Sequence, residues 1–278
     1  MDITRIAAFS SQNNGGNPAG VAMFETLPYA MEMQKIAAEI GYSETAFLEP
    51  LAEGWRIRYF APEQEVAFCG HATIASAAEL GRRYGAGTYH LHLNDAQISV
   101  DAFKSKTGEW SASLNSPPTW STLVSFDEFK TVLENFRISP TDMDARFPLA
   151  LAGAGARHLM IGLADHEKLK TMSYDFDIIK NIMIERDLTT LNLFYCESNT
   201  VFHSRNPFAF GGVYEDPATG AAAAALGGYL RDARFIKEET AITVHQGVDM
   251  GSPSLLQVHI GKDKGQSVTV SGETRVIE

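Results

Sequence analysis

The chain has 278 residues, a net charge of −11, 45% hydrophobic and 21% charged residues. This composition excludes a disordered chain, and the acidic balance argues against a nucleic-acid or anionic-membrane partner. Two cysteines, Cys69 and Cys196, are too few for a disulfide scaffold. The first residues show no basic stretch leading into an apolar run. No segment approaches the length of a membrane-spanning helix, so a cytoplasmic location without a membrane partner is the expectation.

In chain order, Met33, Ile36, Ala37 and Ile40 follow helical spacing, with Gly41 placed as a C-terminal cap. Trp55, Ile57 and Tyr59 alternate as in a strand, as do Tyr89, Leu91 and Leu93, and then Ile98, Val100 and Ala102. Ser125 with Glu128 reads as a capping box before Phe129, Val132, Leu133 and Phe136. Ile178, Ile179, Ile182 and Met183 predict a further amphipathic helix. Leu256, Val258 and Ile260, then Val268 and Val270, flank a Gly-bounded loop and read as a hairpin.

Two segments differ from these. His71–Leu80 and Ala221–Leu230 are small and apolar on nearly every face, which places a helix inside a core. Each follows a similar lead: Arg58-Tyr59-Phe60 before Cys69-Gly70, and Arg205-Asn206-Pro207-Phe208 before Thr219-Gly220. The spacing from Arg to the X-Gly pair differs by three residues, so the shared plan carries the repeat more than identity does. The expected fold is α+β: two pseudo-symmetric domains, each a mixed or antiparallel β-sheet, barrel-like, round a central helix. The turn-rich Ser116-Pro117-Pro118 sets the expected halves at 1–117 and 118–278, with the last strand free to return to the first half.

Candidate chemistry gathers at the two helix starts. In Glu215-Asp216-Pro217-Ala218-Thr219-Gly220-Ala221, Asp216 or Thr219 can cap the second helix while Gly220 and Ala221 present backbone N–H groups. A helix start of this kind is a preorganised anion site, or a plain cap with no ligand. Its repetition at Cys69-Gly70-His71 favours the site, with both starts expected in one interdomain cleft. His71 is either a buried neutral histidine or an acid/base partner. Glu44, at the entry to a strand, reads from spacing alone as a solvated carboxylate, while a cleft would suit it to proton transfer. Asn17, in Asn17-Pro18-Ala19-Gly20, is a turn residue or a polar cleft contact. No dinucleotide fingerprint, phosphate loop or nucleophile elbow occurs. The eight histidines show no metal-ligand spacing, so no metal is expected.

These motifs carry a resemblance. Asn17-Pro18-Ala19-Gly20, Ser43-Glu44-Thr45-Ala46-Phe47, Arg58-Tyr59-Phe60-Ala61-Pro62 with Glu65, Cys69-Gly70-His71-Ala72-Thr73 and Glu215-Asp216-Pro217-Ala218-Thr219-Gly220 look like the PhzF family of phenazine-biosynthesis-type isomerases. That family shares the diaminopimelate epimerase-like fold. The match runs in order from residue 17 to about residue 228. The resemblance implies a cofactor-independent isomerase that moves a proton on a small carboxylic acid, and a homodimer. It implies Glu44 as the acid/base, with His71 and Asp216 as polar groups beside the reacting centre. Gly70 and the Gly220–Ala221 backbone would hold the substrate carboxylate, next to Cys69, Thr219 and Asn17.

Two departures matter. The family often has serine where this chain has Ala221, so one hydroxyl is lost and a backbone donor stays. Racemase and epimerase relatives face two thiols across the cleft, whereas here Cys69 is opposed by Thr219, a far weaker base. A two-thiol racemase is therefore disfavoured. It stands as one rival reading, and a catalytically silent small-carboxylate binding protein as the other.

Overall fold

The computed structural model describes residues 2–277. The chain divides into two compact units, Met1–Asn115 with Ser271–Glu278, and Ser116–Val270. The first unit runs β1 (Asp2–Ser10), β2 (Asn17–Met23), α1 (Ala30–Ile40), β3 (Glu44–Pro50), β4 (Trp55–Phe60), β5 (Glu65–Val66), α2 (Gly70–Tyr84), β6 (Gly87–His92), β7 (Gln97–Lys104) and β8 (Trp110–Asn115). The chain's last strand, Thr269–Ile277, joins this unit by pairing antiparallel with β1 and also pairing with β8. From β1 the ladder continues antiparallel to β2, parallel to β3, antiparallel to β4, parallel to β6, then antiparallel to β7 and β8. The strands thus close a ring, which removes the exposed edges a sheet would otherwise present.

The ring surrounds α2. Ala72, Ala75, Ala77, Ala78 and Leu80 are all buried, as the all-round apolar sequence predicts. Small residues are needed because the strands approach closely: a Cβ on Gly81 would stand 2.7 Å from the Trp110 ring and 2.8 Å from the Ala102 methyl group. Glu79 is the acidic residue of this helix. It is fully buried, and its carboxylate takes hydrogen bonds from Arg82, Arg83 and Thr4. Burial pushes its pKa up, but those donors together outweigh burial and hold it below the ordinary value.

The second unit runs β9 (Trp120–Leu123), α3 (Lys130–Asn135), β10 (Ala150–Gly153), β11 (Arg157–Leu163), α4 (His166–Lys170), α5 (Phe176–Glu185), β12 (Thr190–Ser198), β13 (Val201–Phe208), β14 (Val213–Asp216), α6 (Gly220–Asp232), β15 (Thr240–Gln246) and β16 (Ser254–Ile260). The final strand Thr269–Ile277 is then β17. Here β10 pairs antiparallel with β9 and β11, β11 runs parallel to β12, and β12 antiparallel to β13. β13 runs parallel to β15 and β15 antiparallel to β16. Ala222–Leu230 of α6 are buried, with Gly227 packed on Val258 and Ile260 and Gly228 on Thr119.

The two orders are the same. In each unit an antiparallel pair leads into a parallel pair bridged by helix, then an antiparallel strand, then a parallel crossover carrying the buried helix. The short strands β5 and β14 occupy matching places as well. Glu65 pairs with Phe60, two residues after Arg58, and Glu215 pairs with Pro207, two residues after Arg205. From Glu65 to Cys69 and from Glu215 to Thr219 the step is four residues in each case. The three extra residues before Thr219 therefore lie upstream of Glu215, where the turn Ala209–Gly211 is inserted.

The other sequence expectations fare well in the helices, with differences in detail. α1 ends where expected, Gly41 adopting φ +72° and donating its N–H to Ala37. Only half of the Ser125–Glu128 box forms. The Glu128 N–H donates to the Ser125 hydroxyl, while the Glu128 carboxylate faces Arg186 at 3.6 Å. In α5 the buried residues are Ile179 and Met183, and Ile178 points outward. Among the described residues no helix is long and apolar enough to cross a membrane.

Candidate active site

In the first unit, Glu44 opens β3 and pairs in register with Ala19 of the parallel strand β2, whose first residue is the buried Asn17. Asn17 and Glu44 therefore lie at the same end of this strand pair. The start of α2 meets Glu44 there. The His71 Nε2 stands 3.4 Å from Glu44 Oε2 and 3.4 Å from the Ser43 hydroxyl. Cys69 Sγ lies 3.4 Å from His71 Nδ1 and 3.8 Å from Nε2. Oε2 of Glu44 is shielded from solvent, and no hydrogen-bond donor satisfies it. Glu44 is thus neither fully solvated, as its spacing alone suggested, nor locked in an ion pair with arginine or lysine. Gly70 leaves the helix start open, since a Cβ there would meet only Phe68, at 3.9 Å.

Around this group the scaffold is tied down. Thr73 donates to the Cys69 carbonyl at 2.7 Å and shares a 2.6 Å hydrogen bond with Tyr59. Burial pushes the Tyr59 phenol well up, so it stays a neutral hydrogen-bonding group. Arg58 grips Glu65 through two hydrogen bonds of 2.8 and 2.6 Å, which hold that carboxylate below its ordinary range. Fork geometry of this kind fixes β5 and hence the chain entering α2.

In the second unit, Asp216 ends β14 and Thr219 immediately precedes α6. The sequence offered either side chain as a cap, but neither caps α6. Instead the Thr219 hydroxyl donates to Asp216 Oδ2 at 2.6 Å. The backbone N–H groups of Gly220 and Ala221, the first two helical residues, are left without a side-chain cap. Arg205 and Glu215 repeat the Arg58–Glu65 grip at 2.9 and 2.5 Å, here with both partners buried.

Sequence reasoning missed Gln246. It is buried on β15, and its amide donates to the Asp216 carbonyl at 2.7 Å and to the Thr219 hydroxyl at 2.9 Å. Its Oε1 accepts the Thr219 N–H at 3.1 Å. One side chain thereby spans the turn from Asp216 to Thr219. Gly247 follows it at φ +74°, where a Cβ would stand 2.2 Å from the Ser252 carbonyl oxygen and 2.7 Å from that of Pro217. The clasp therefore requires glycine beside the glutamine. Sequence reasoning also missed a buried polar chain. The His158 Nδ1 meets the Thr190 hydroxyl at 2.8 Å, and Thr190 donates to Asn206 at 3.0 Å. Asn206 donates to Ser204 at 3.1 Å, Ser204 to Asn192 at 2.6 Å, and Asn192 to the Ala222 carbonyl at 3.4 Å. With Nδ1 as donor, every bond points the same way, toward the first turn of α6. Polar residues at alternating strand positions were the only hint in the sequence.

Two halves built on one topology, each presenting a buried-helix start with acid/base or hydrogen-bonding side chains, define a fold of the racemase and epimerase-like class. The family model for phenazine biosynthesis-like proteins (PhzC–PhzF) matches residues 6–278, and the chain belongs to that family. It is 32% identical over 257 residues to trans-2,3-dihydro-3-hydroxyanthranilate isomerase of Pseudomonas fluorescens, covering 90% of this chain and 87% of the relative. The fold matches the crystal structure of a Bacillus anthracis phenazine biosynthesis protein of the PhzF family. That match has a TM-score of 0.87 at 21% identity and covers 100% and 98% of the two chains. A probable proline racemase from Agrobacterium radiobacter shares the fold at a TM-score of 0.67 and 10% identity, with 99% and 90% covered.

Proposed function

We propose that this isomerase moves a proton on a small carboxylic acid by general acid/base catalysis, with Glu44 as the acid/base. The observation that carries the reading is Glu44 Oε2, shielded from solvent, unsatisfied, and 3.4 Å from His71 Nε2. A carboxylate so placed can take a proton from carbon without first giving up a strong ion pair. His71 orients the substrate or relays the proton, as does Asp216, which Thr219 and Gln246 hold in place. The N-terminus of α6 binds the substrate carboxylate through Gly220 and Ala221, because its backbone donors and the helix dipole both favour an anion. Cys69, Gly70 and Asn17 line the Glu44 side.

That both helix starts serve one substrate rests on the internal repeat and on the family resemblance. A carboxylate substrate agrees with the anthranilate-type acid named for the Pseudomonas fluorescens relative. The same reading makes the enzyme a cytoplasmic homodimer that needs no cofactor. Ala221, where the family often has serine, favours a second reading, a binding protein without turnover. Incubation with small unsaturated carboxylic acids in deuterated water, followed by NMR, separates the two. Deuterium entering a bound acid, and ceasing to enter with Glu44→Gln, supports the isomerase. Saturable binding without exchange supports the silent protein.

A further inference from the structure

We propose that the start of α2 is a binding site for a thiophilic divalent cation of the Zn2+ type, held by Glu44, Cys69 and His71. One donor atom from each of these residues lies within 4.8 Å of the other two. Tetrahedral zinc with Zn–S near 2.3 Å and Zn–N and Zn–O near 2.0–2.1 Å puts its ligand atoms about 3.6 Å apart for S and N, and about 3.4 Å apart for N and O. The protein has Sγ to Nε2 at 3.8 Å and Nε2 to Oε2 at 3.4 Å, so these two edges of the tetrahedron are already close to their required lengths.

Donor chemistry selects the ion. A thiolate, an imidazole and a single carboxylate suit zinc, whereas magnesium and calcium take oxygen ligands. Binding releases the thiol proton to solvent, and thiolate plus carboxylate then balance the two positive charges. Glu44 Oε2 is a buried oxygen with no donor to satisfy it, so coordination meets an unmet demand. Three protein ligands leave a fourth position for water or a substrate oxygen, and the side-chain-free Gly70 leaves room beside the helix start. Spacing in the sequence did not reveal this set, because Glu44 comes from a different element than Cys69 and His71. An ion here occupies the groups assigned to proton transfer, so it inhibits rather than assists turnover.

The test uses Co2+ as the probe on the purified full chain, followed by absorption spectroscopy. Saturable binding should produce intense visible d–d bands of a tetrahedral ion and a near-ultraviolet thiolate-to-cobalt charge-transfer band, and excess Zn2+ should bleach both. Cys69→Ser should remove the charge-transfer band, and Cys196→Ser should leave it intact. Glu44→Gln keeps the sulfur and should weaken binding by about 10-fold or more, the scale on which even outer-shell partners matter. Absence of saturable binding, a weak octahedral spectrum, or a charge-transfer band that survives Cys69→Ser overturns the proposal. Should Cys69→Ser fail to fold, unchanged Co2+ affinity in Glu44→Gln overturns it equally. The readout is a spectrum, so failure here leaves the acid/base reading of Glu44 standing, and loss of that reading leaves the metal site to be judged alone.

Discussion

The Glu44 carboxylate and the His71 imidazole meet at 3.4 Å, although 26 residues separate them in the chain and they enter from different elements. Glu44 comes from the first position of β3, whose register with β2 and β4 fixes which way it points. His71 comes from the first turn of α2, set by the Arg58–Glu65 grip upstream. Replacing Glu44 by glutamine keeps shape and removes the proton acceptor. Turnover of a substrate found by the exchange assay should fall by about 10²- to 10⁴-fold, with ligand binding retained. Full activity in this variant would sink the assignment.

The Gln246 clasp predicts a stability effect local to α6. Gln246→Leu removes three hydrogen bonds and leaves part-buried groups of Asp216 and Thr219 without that partner, at a cost of about 1–3 kcal/mol. Gly247→Ala should destabilise too, since it forces a Cβ onto two carbonyl oxygens at a positive φ. Chemical denaturation reads both changes. Hydrogen exchange at the start of α6 should accelerate in each variant before the rest of the unit responds.

His158 predicts a pH dependence. The residue is fully buried, and burial pushes its pKa from 6.5 down to about 3. Between those values the unfolded chain binds a proton that the folded chain refuses, so stability falls as pH drops from 6.5 toward 3. The slope from this one group is about 1.4 kcal/mol per pH unit. Above pH 6.5 it contributes nothing to the pH dependence. A His158→Asn variant should be less stable near neutrality, through the broken polar chain, yet lose stability less steeply on acidification. Equal slopes for the two proteins in acid-unfolding curves would refute this account.

The close fit round α2 predicts intolerance of bulk. Gly81→Val places branched carbons where the Trp110 ring and the Ala102 methyl group already stand. Overpacking of this kind costs about 1–3 kcal/mol. A lowered denaturation midpoint is expected, and an unchanged one would show that Trp110 can rotate away.

Much of this protein is legible in the sequence because local patterns carry it. Alanine and glycine at every face mark α2 and α6 as buried, since no surface helix can afford to lack a polar side. Arg58 and Arg205, each followed by an X-Gly pair and a small apolar helix, expose the repeat. Gly41 ends α1 because the backbone there must turn left-handed. The sequence motifs also suffice to name the family and to single out Glu44, His71 and Asp216. Tertiary structure alone decided which partners those groups meet. Thr219 bonds Asp216 rather than the helix because Gln246, from a strand 27 residues later, reaches that turn. Glu44, Cys69 and His71 converge because strand register fixes one partner and the helix start fixes the other two. The His158 chain forms because parallel pairing sets His158 beside Thr190. Hydrogen bonds and ligand sets depend on distances of a few tenths of an ångström between chain-remote atoms, and only the packed fold determines those distances.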